Sequence, residues 1–410
     1  MLFRSPINTS SEIFNEENYN LIAYTKTSLW LKELENKMGL AEFDKMMSNY
    51  FQNWKFKHPQ PDDFKNLVFQ NSNLDLNKHF NLLDKKGLIT NPQKRNLKFY
   101  PFFNFNNTDK YNYIFFSPAI GFNHYDKFMP GLIFHNYSLP SNKFLFFIAP
   151  LYSKNTGKIN GTAKLTYTNY LGEHGNKIIF NVNLGSFSNN QYIDTSGTSN
   201  YLRYFKFNPS INYVWGEKNS RAKIEKSISF NSYFINETNL SFFKNPATQN
   251  LEITYPVLKR YINQINFNIN NSRVLYPYNG NLLAEQGNGF LKLGLTGNYY
   301  FNYVNGGGMS VKLYAGKFIY TKAKTILSEF ETSRYHLNMS GANGYEDYTY
   351  SNYFLGRNEF EGFYTRQLVM KEGAFKVHTD YLSDKIGKTD NWLGSINFTT
   401  TIPKKINLFE

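Results

Sequence analysis

The chain has 410 residues, no cysteine, and 45 Lys and Arg against 31 Asp and Glu, a formal charge of +14 at pH 7. Without thiols there are no disulfides and no thiolate metal sites, and no apolar run approaches the roughly 18 residues of a membrane-spanning helix. The positive charge is scattered among Asn and Tyr with no Lys/Arg-rich run, which argues against nucleic acid as a partner.

Aromatic residues make up 18%, with 39 Phe and 32 Tyr but only 4 Trp. Tyr and Phe fit a pleated surface, and the abundant Asn serves turns. Residues 1–95 hold 13 of the basic and 11 of the acidic residues, so nearly all the excess lies beyond them. A basic surface there suits anionic lipid headgroups or solubility. The opening MLFRSPINTSSEIF has neither the charged n-region nor the apolar h-region of a leader. That predicts either a cytosolic protein or one whose true beginning lies upstream.

In chain order, residues 10–90 read as short helices. Ser10 or Ser11 can cap a first helix reaching towards Tyr19. From Lys26 to Met38, Trp30, Leu31, Leu34 and Met38 fall at helical spacing against a charged face, and Gly39 supplies the stop. Tyr24 stands at the entrance of this helix, where its phenol either projects towards a site or simply packs. Leu40 to Trp54 carries Phe43, Met46, Met47, Tyr50 and Trp54 on one stripe. Pro59 and Pro61 break the chain, and Asp62 and Asp63 restart it at a helix N-terminus, where the macrodipole favours carboxylates. Phe64, Leu67 and Val68 form the buried side of that helix. A last helix carries Leu76, Phe80 and Leu83 and stops at Gly87.

From about Asn96 the period changes to 2. Phe180, Val182 and Leu184 alternate with Asn181, Asn183 and Gly185, and Ile265, Phe267 and Ile269 with Asn266, Asn268 and Asn270. Leu291, Leu293 and Leu295 alternate with Lys292, Gly294 and Thr296; Val311 and Leu313, and Ile396 and Phe398, repeat the pattern. Turns are expected at 155–157, 172–176, 279–281, 306–308 and 341–344. A dozen or so strands of about ten residues predict either a transmembrane β-barrel or a large soluble antiparallel domain with its apolar face inward. The fold class is thus α + β in separate domains, a helical 1–95 followed by an antiparallel, barrel-like 96–410.

Chemistry is sparse. The histidines form no His-Glu-x-x-His pair. His124, Asp126 and His135 are the nearest grouping and match no ligand spacing, so strand ends explain them better. Gly306 to Gly308 lie between strands and serve as a turn, and no Gly-x-Ser-x-Gly elbow is present.

The run from Asn18 to Phe64 resembles the C-terminal part of the catalytic domain of aminopeptidase N-like gluzincin zinc metallopeptidases. The resemblance rests on Tyr24-Thr25-Lys26, Met38-Gly39, Tyr50 to Trp54 and Pro61-Asp62-Asp63-Phe64 in that order. It implies that 1–95 is the remnant of a thermolysin-like domain and that Tyr24 donates to the oxyanion of the tetrahedral intermediate. It further implies that Tyr19 lines the substrate cleft. The zinc cofactor would belong to a full-length parent acting on peptide substrates. The zinc helix should lie upstream of Tyr24, so this chain reads as an inactive C-terminal fragment or as a degenerate protein. The β part, through GFNHYDKFMPGLIFHNYSLP and LGRNEFEGF, resembles the C-terminal extension of some such peptidases from Bacteroidetes-type bacteria. That implies outer-membrane lipid as a partner and an outer-membrane, periplasmic or cell-surface location in a Gram-negative bacterium. A non-enzymatic channel or binding protein with a helical cap is the alternative.

Overall fold

The computed structural model describes residues 5–14, 16–72, 74–89, 94–108, 110–138, 141–171, 175–217, 219, 222–304, 306–322, 335–343, 347–351, 368–369, 372–373, 375–378 and 387–401. The stretch 355–363, one basis of the outer-membrane resemblance, lies outside these residues. The chain divides into two units, residues 1–96 with 218–222 and residues 97–217 with 223–410.

The first unit is helical. A short α1 (Glu16–Tyr19) passes into a π-helical turn, Asn20–Lys26, and then into α2 (Thr27–Met38). The cap expected from Ser10 is not made; Ser10 precedes a single 3-10 turn, Ser11–Ile13, with no side-chain capping bond. Gly39, at φ 86°, both ends α2 and starts α3 (Leu40–Trp54), a left-handed conformation that a Cβ would oppose. α4 (Pro61–Gln70) opens on Pro61 with a reciprocal cap, in which the Gln60 N–H donates to Asp63 Oδ2 at 2.7 Å. Asp63 is therefore a helix-start carboxylate. α5 (Asn77–Phe80) and a 3-10 turn, Asn81–Asp84, close the unit. Trp30 and Leu34 from α2 meet Met46, Val68, Leu76 and Phe80 in one buried cluster, each helix contributing its apolar stripe.

The second unit is built from strands in antiparallel ladders. They are β1 (Asn96–Pro101), β2 (Tyr111–Asn123), β3 (Lys127–His135), β4 (Phe144–Ser153), β5 (Lys158–Leu171), β6 (Asn176–Ile193), β7 (Ser199–Trp215) and β8 (Ile224–Thr238). A small hairpin, β9 (Ser241–Lys244) and β10 (Leu251–Thr254), precedes β11 (Val257–Asn271), β12 (Tyr278–Gly287), β13 (Phe290–Asn302) and β14 (Gly308–Tyr320). Five short strands, β15 (Leu337–Asn338), β16 (Ser340–Asn343), β17 (Leu368–Val369), β18 (Phe375–His378) and β19 (Lys388–Thr389), lead to β20 (Trp392–Thr400). Thirteen strands form one sheet in the order β1 to β8, β11 to β14, β20. β4 tolerates the central Pro150, which has no N–H to give, beside a β3–β4 ladder interrupted between Gly131 and Phe134.

Three expectations are corrected. Residues 341–343 belong to β16 and are not a turn, with 344 outside the described residues. Residues 279–281 are not a turn but pair with β11 and β13 inside β12; the chain reverses at 272–277 instead. The sheet is also not closed into a barrel. Among the described residues no ladder joins β1 to β20, so the meander ends on two edges.

One short segment nonetheless bridges several strands of the sheet. Residues 347–351 reach Asn189 of β6, Lys206 of β7, Arg260 of β11 and both Glu285 of β12 and Lys292 of β13. Those strands span five ladder steps, roughly 24 Å if flat. Five residues, with the long Tyr, Lys and Arg side chains that meet them, bridge that distance.

Candidate functional site

Tyr24, the residue that the resemblance makes an oxyanion donor, sits in unusual local geometry. A π-helix has a wider turn than an α-helix, so positions five apart fall on one face instead of diverging. Tyr19 and Tyr24 are such a pair, with ring centroids 5.6 Å apart in an edge-to-face arrangement. Both are exposed, Tyr19 at 45% and Tyr24 at 61%. Hydrogen bonding to Tyr24, and then the repulsion between the two phenols when ionised, raises the Tyr19 pKa above its ordinary value.

Lys26, two residues on, points the opposite way. It is fully buried, and its Nζ donates to the Ser5 and Lys85 carbonyls at 2.9 and 2.6 Å. Burial, then the charge of Lys85, lowers its pKa. The Tyr-x-Lys sequence therefore splits its duties, with the lysine holding the scaffold and the tyrosine facing outward. Sequence reasoning singled out the tyrosine and gave the lysine no role.

The described residues form no group that fits a zinc ion: no three His, Asp or Glu side chains among them are placed to hold a metal. His79 is stacked on Trp30 at 4.6 Å, with neither ring nitrogen hydrogen-bonded. His135 packs between Phe103 and Phe115. Asp126 is a structural node: it accepts from Asn123 Nδ2 at 2.9 Å, Thr156 Oγ1 at 3.0 Å, and the Ser188 N–H and Oγ at 2.9 and 2.8 Å. It thereby ties the β2–β3 turn to the β4–β5 turn and β6.

The larger candidate surface is the sheet itself. Phe144, Tyr167, Phe180, Ile211, Phe230 and Ile265 are successive cross-strand partners from β4 to β11. All six lie 39% to 48% exposed. The neighbouring row, Thr166, Asn181, Ser210, Asn231, Gln264, Glu285 and Lys292, runs from β5 to β13 through the same ladders and is polar throughout. Period-2 alternation sends these two rows to opposite faces. Apolar exposure continues through Leu282, Leu295, Leu313, Ile396 and Phe398 on the later strands. Aromatic rings crowd one end of the sheet, where Tyr213, Trp215 and Phe267 adjoin, and Tyr276 and Tyr278 each stack on Tyr299.

Several charges of the inward face are held in contacts. Arg260 pairs with Glu237, and Lys292 pairs with Glu372 at 3.2 Å. Tyr348 Oη donates to Glu285 at 2.5 Å and receives from Lys292 Nζ at 3.0 Å. These groups were not anticipated from the sequence, although a signal existed. Asn288-Gly289 between β12 and β13 is a two-residue hairpin turn, and such a turn fixes Glu285 opposite Lys292.

No protein-family model, curated protein or solved structure matches this chain.

Proposed function

We propose that residues 97–410 are a membrane-embedded antiparallel β domain of the outer-membrane kind, an anchor that carries the helical unit at the membrane. The supporting observation is the pair of adjacent rows, apolar and exposed on one face, polar on the other. In water such an arrangement would be inside out; in a bilayer it is the stable one. The soluble alternative would bury one apolar face throughout; here part of the apolar residues do form buried clusters on the inward side, while the outward row stays exposed, which favours the membrane reading. The aromatic cluster at one end suits a headgroup layer, where amphipathic rings settle. Hydrocarbon offers no partner for strand-edge N–H and C=O groups, so this reading requires the β1 and β20 edges to be covered in the membrane. The test is fractionation of the expressed chain. It should remain with membranes after alkaline extraction, need detergent for release, and change gel mobility on heating. Recovery as a soluble monomer without detergent overturns the proposal.

A second reading concerns the helical unit, and the π turn favours it, since such turns concentrate at functional sites. In this reading the unit completes an aminopeptidase-like catalytic domain whose zinc is held by residues outside this chain. Tyr24 Oη then donates to the oxyanion that develops on the scissile carbonyl of a peptide, with Tyr19 beside it lining the cleft. A phenol stays protonated at neutral pH and is a suitable donor where negative charge appears. In a longer product that contains a zinc helix, Tyr24→Phe should lower turnover by about 10²- to 10³-fold with little change in KM. Unchanged turnover would leave Tyr24 a surface tyrosine.

A further inference from the structure

The inward face raises a question that the anchor reading leaves open, namely whether the domain conducts. We infer that the segment around Tyr348 and Tyr350 closes the polar side of the sheet, so that this is an occluded membrane domain and not a channel. The inference rests on the membrane reading above and deepens it.

Three strand cations converge on this segment. Lys206 Nζ of β7 donates to the Tyr350 carbonyl at 2.6 Å, and Arg260 Nη1 of β11 donates to the Tyr348 carbonyl at 3.2 Å. Lys292 Nζ of β13 donates to the Tyr348 hydroxyl at 3.0 Å. Asn189 Nδ2 holds the Tyr350 hydroxyl at 2.7 Å, and the Tyr350 ring lies parallel to Tyr204 at 3.8 Å. A water-filled pore would present its cations to the solvent and to passing ions. Here they engage the backbone and phenols of one inserted segment.

Two further observations give the same direction. Asp347, Tyr348, Thr349 and Tyr350 are each less than 9% exposed, although all four carry a hydroxyl or carboxylate that would suit a surface turn in isolation. Tyr350 also has φ 51°, a left-handed conformation that a bulky residue keeps only where its surroundings over-determine it. The segment packs over an apolar layer of Met129, Ile235 and Ile262, each at most 1% exposed. Polar space remains on either side: a cavity of about 410 Å³ beside Tyr350 and Lys206, and one of about 190 Å³ beside Tyr314 and Lys312. In this inference the tyrosine pair and its apolar floor interrupt the water path along the polar side.

The absence of cysteine makes a direct test clean. Thr349→Cys, at a buried position, and Thr248→Cys, on an exposed turn, are each made in the full chain and reacted with a membrane-impermeant thiol reagent. Thr349→Cys should react at least about 100-fold more slowly than Thr248→Cys, as for a group reached only through local opening. Adding Lys206→Ala and Arg260→Ala should recover most of that difference. In planar bilayers the unmodified chain should show no steady conductance. Comparable labelling of the two cysteines, or a steady conductance from the unmodified chain, overturns the inference. Labelling is read in detergent as well as in vesicles, so it stands apart from the anchor reading, which fails separately if the chain does not float with vesicles. A Thr349→Cys chain that loses its heat-modifiable mobility is replaced by Asp347→Cys, at another buried position of the segment, whose labelling must rise when Lys206 and Arg260 are removed; no rise also overturns the inference.

Discussion

The two units follow one rule and reach opposite arrangements. In the helical unit Trp30, Leu34 and Met46 turn away from water into a shared core. In the sheet, Ile211, Phe230 and Ile265 stand on the open face while Asn231, Gln264 and Glu285 face inward. Apolar surface leaves water in both cases. The helical unit provides its own interior, whereas the sheet, on our reading, borrows the bilayer for that purpose. A composition rich in Phe and Tyr therefore says little until the destination of each face is known.

The comparison can be broken from either side. The largest effect is expected at Trp30, whose ring contacts Phe64, His79 and Phe80 and whose Nε1–H donates to the His79 carbonyl. Trp30→Ala should cost about 3–5 kcal/mol and unfold the helices. Hydrogen exchange would then show lost protection in α2 and α4 with the strands unaffected. Next, Leu295→Arg places a charge on the outward face at a half-exposed position. In lipid this should cost about 2–4 kcal/mol, read as a shifted urea midpoint for refolding into vesicles. Were that face exposed to water, the change would fall within about 0.5 kcal/mol, and such a result would end the membrane reading.

A smaller effect is pH-dependent and confined to the helical unit. Burial, with a contribution from the charge of Lys37, lowers the His79 pKa to about 4. Above pH 6.5 the histidine is neutral whether folded or unfolded, and pH has no influence through it. Between pH 6.5 and about 4 the unfolded chain takes up a proton that the folded chain refuses, so stability falls as pH falls. The loss should be on the order of 2 kcal/mol, and His79→Phe should flatten the slope. The smallest effect is at Tyr24, where loss of an exposed hydroxyl should change stability by less than about 0.5 kcal/mol. A larger loss on Tyr24→Phe would mean that the π turn depends on that hydroxyl.

Local features were legible in the sequence. Helical spacing located α3 at Leu40–Trp54, the Pro61-Asp62-Asp63 start located α4, and period 2 located the long strands, because each is decided by neighbours within a few residues. The π turn was not legible, since α and π turns differ by one residue of hydrogen-bond offset and share the same apolar pattern. The inserted tyrosines were not legible either. Tyr348 meets Lys292 across 56 residues and Tyr350 meets Asn189 across 161, and nothing local specifies such pairings. Which face of the sheet is open could not be read from alternation, which is symmetrical between inside and outside.

The adjacent rows also bear on how the sheet is assembled. A strand that slipped by one residue would present Asn181, Ser210 or Gln264 to the outside and draw Phe180, Ile211 or Ile265 in among the carboxylates and amides. On a sheet wetted on its outer face such an error would be cheap and could persist. In the membrane reading, hydrocarbon would penalise it along the whole strand at once, and the lipid would then proofread the register while the sheet forms.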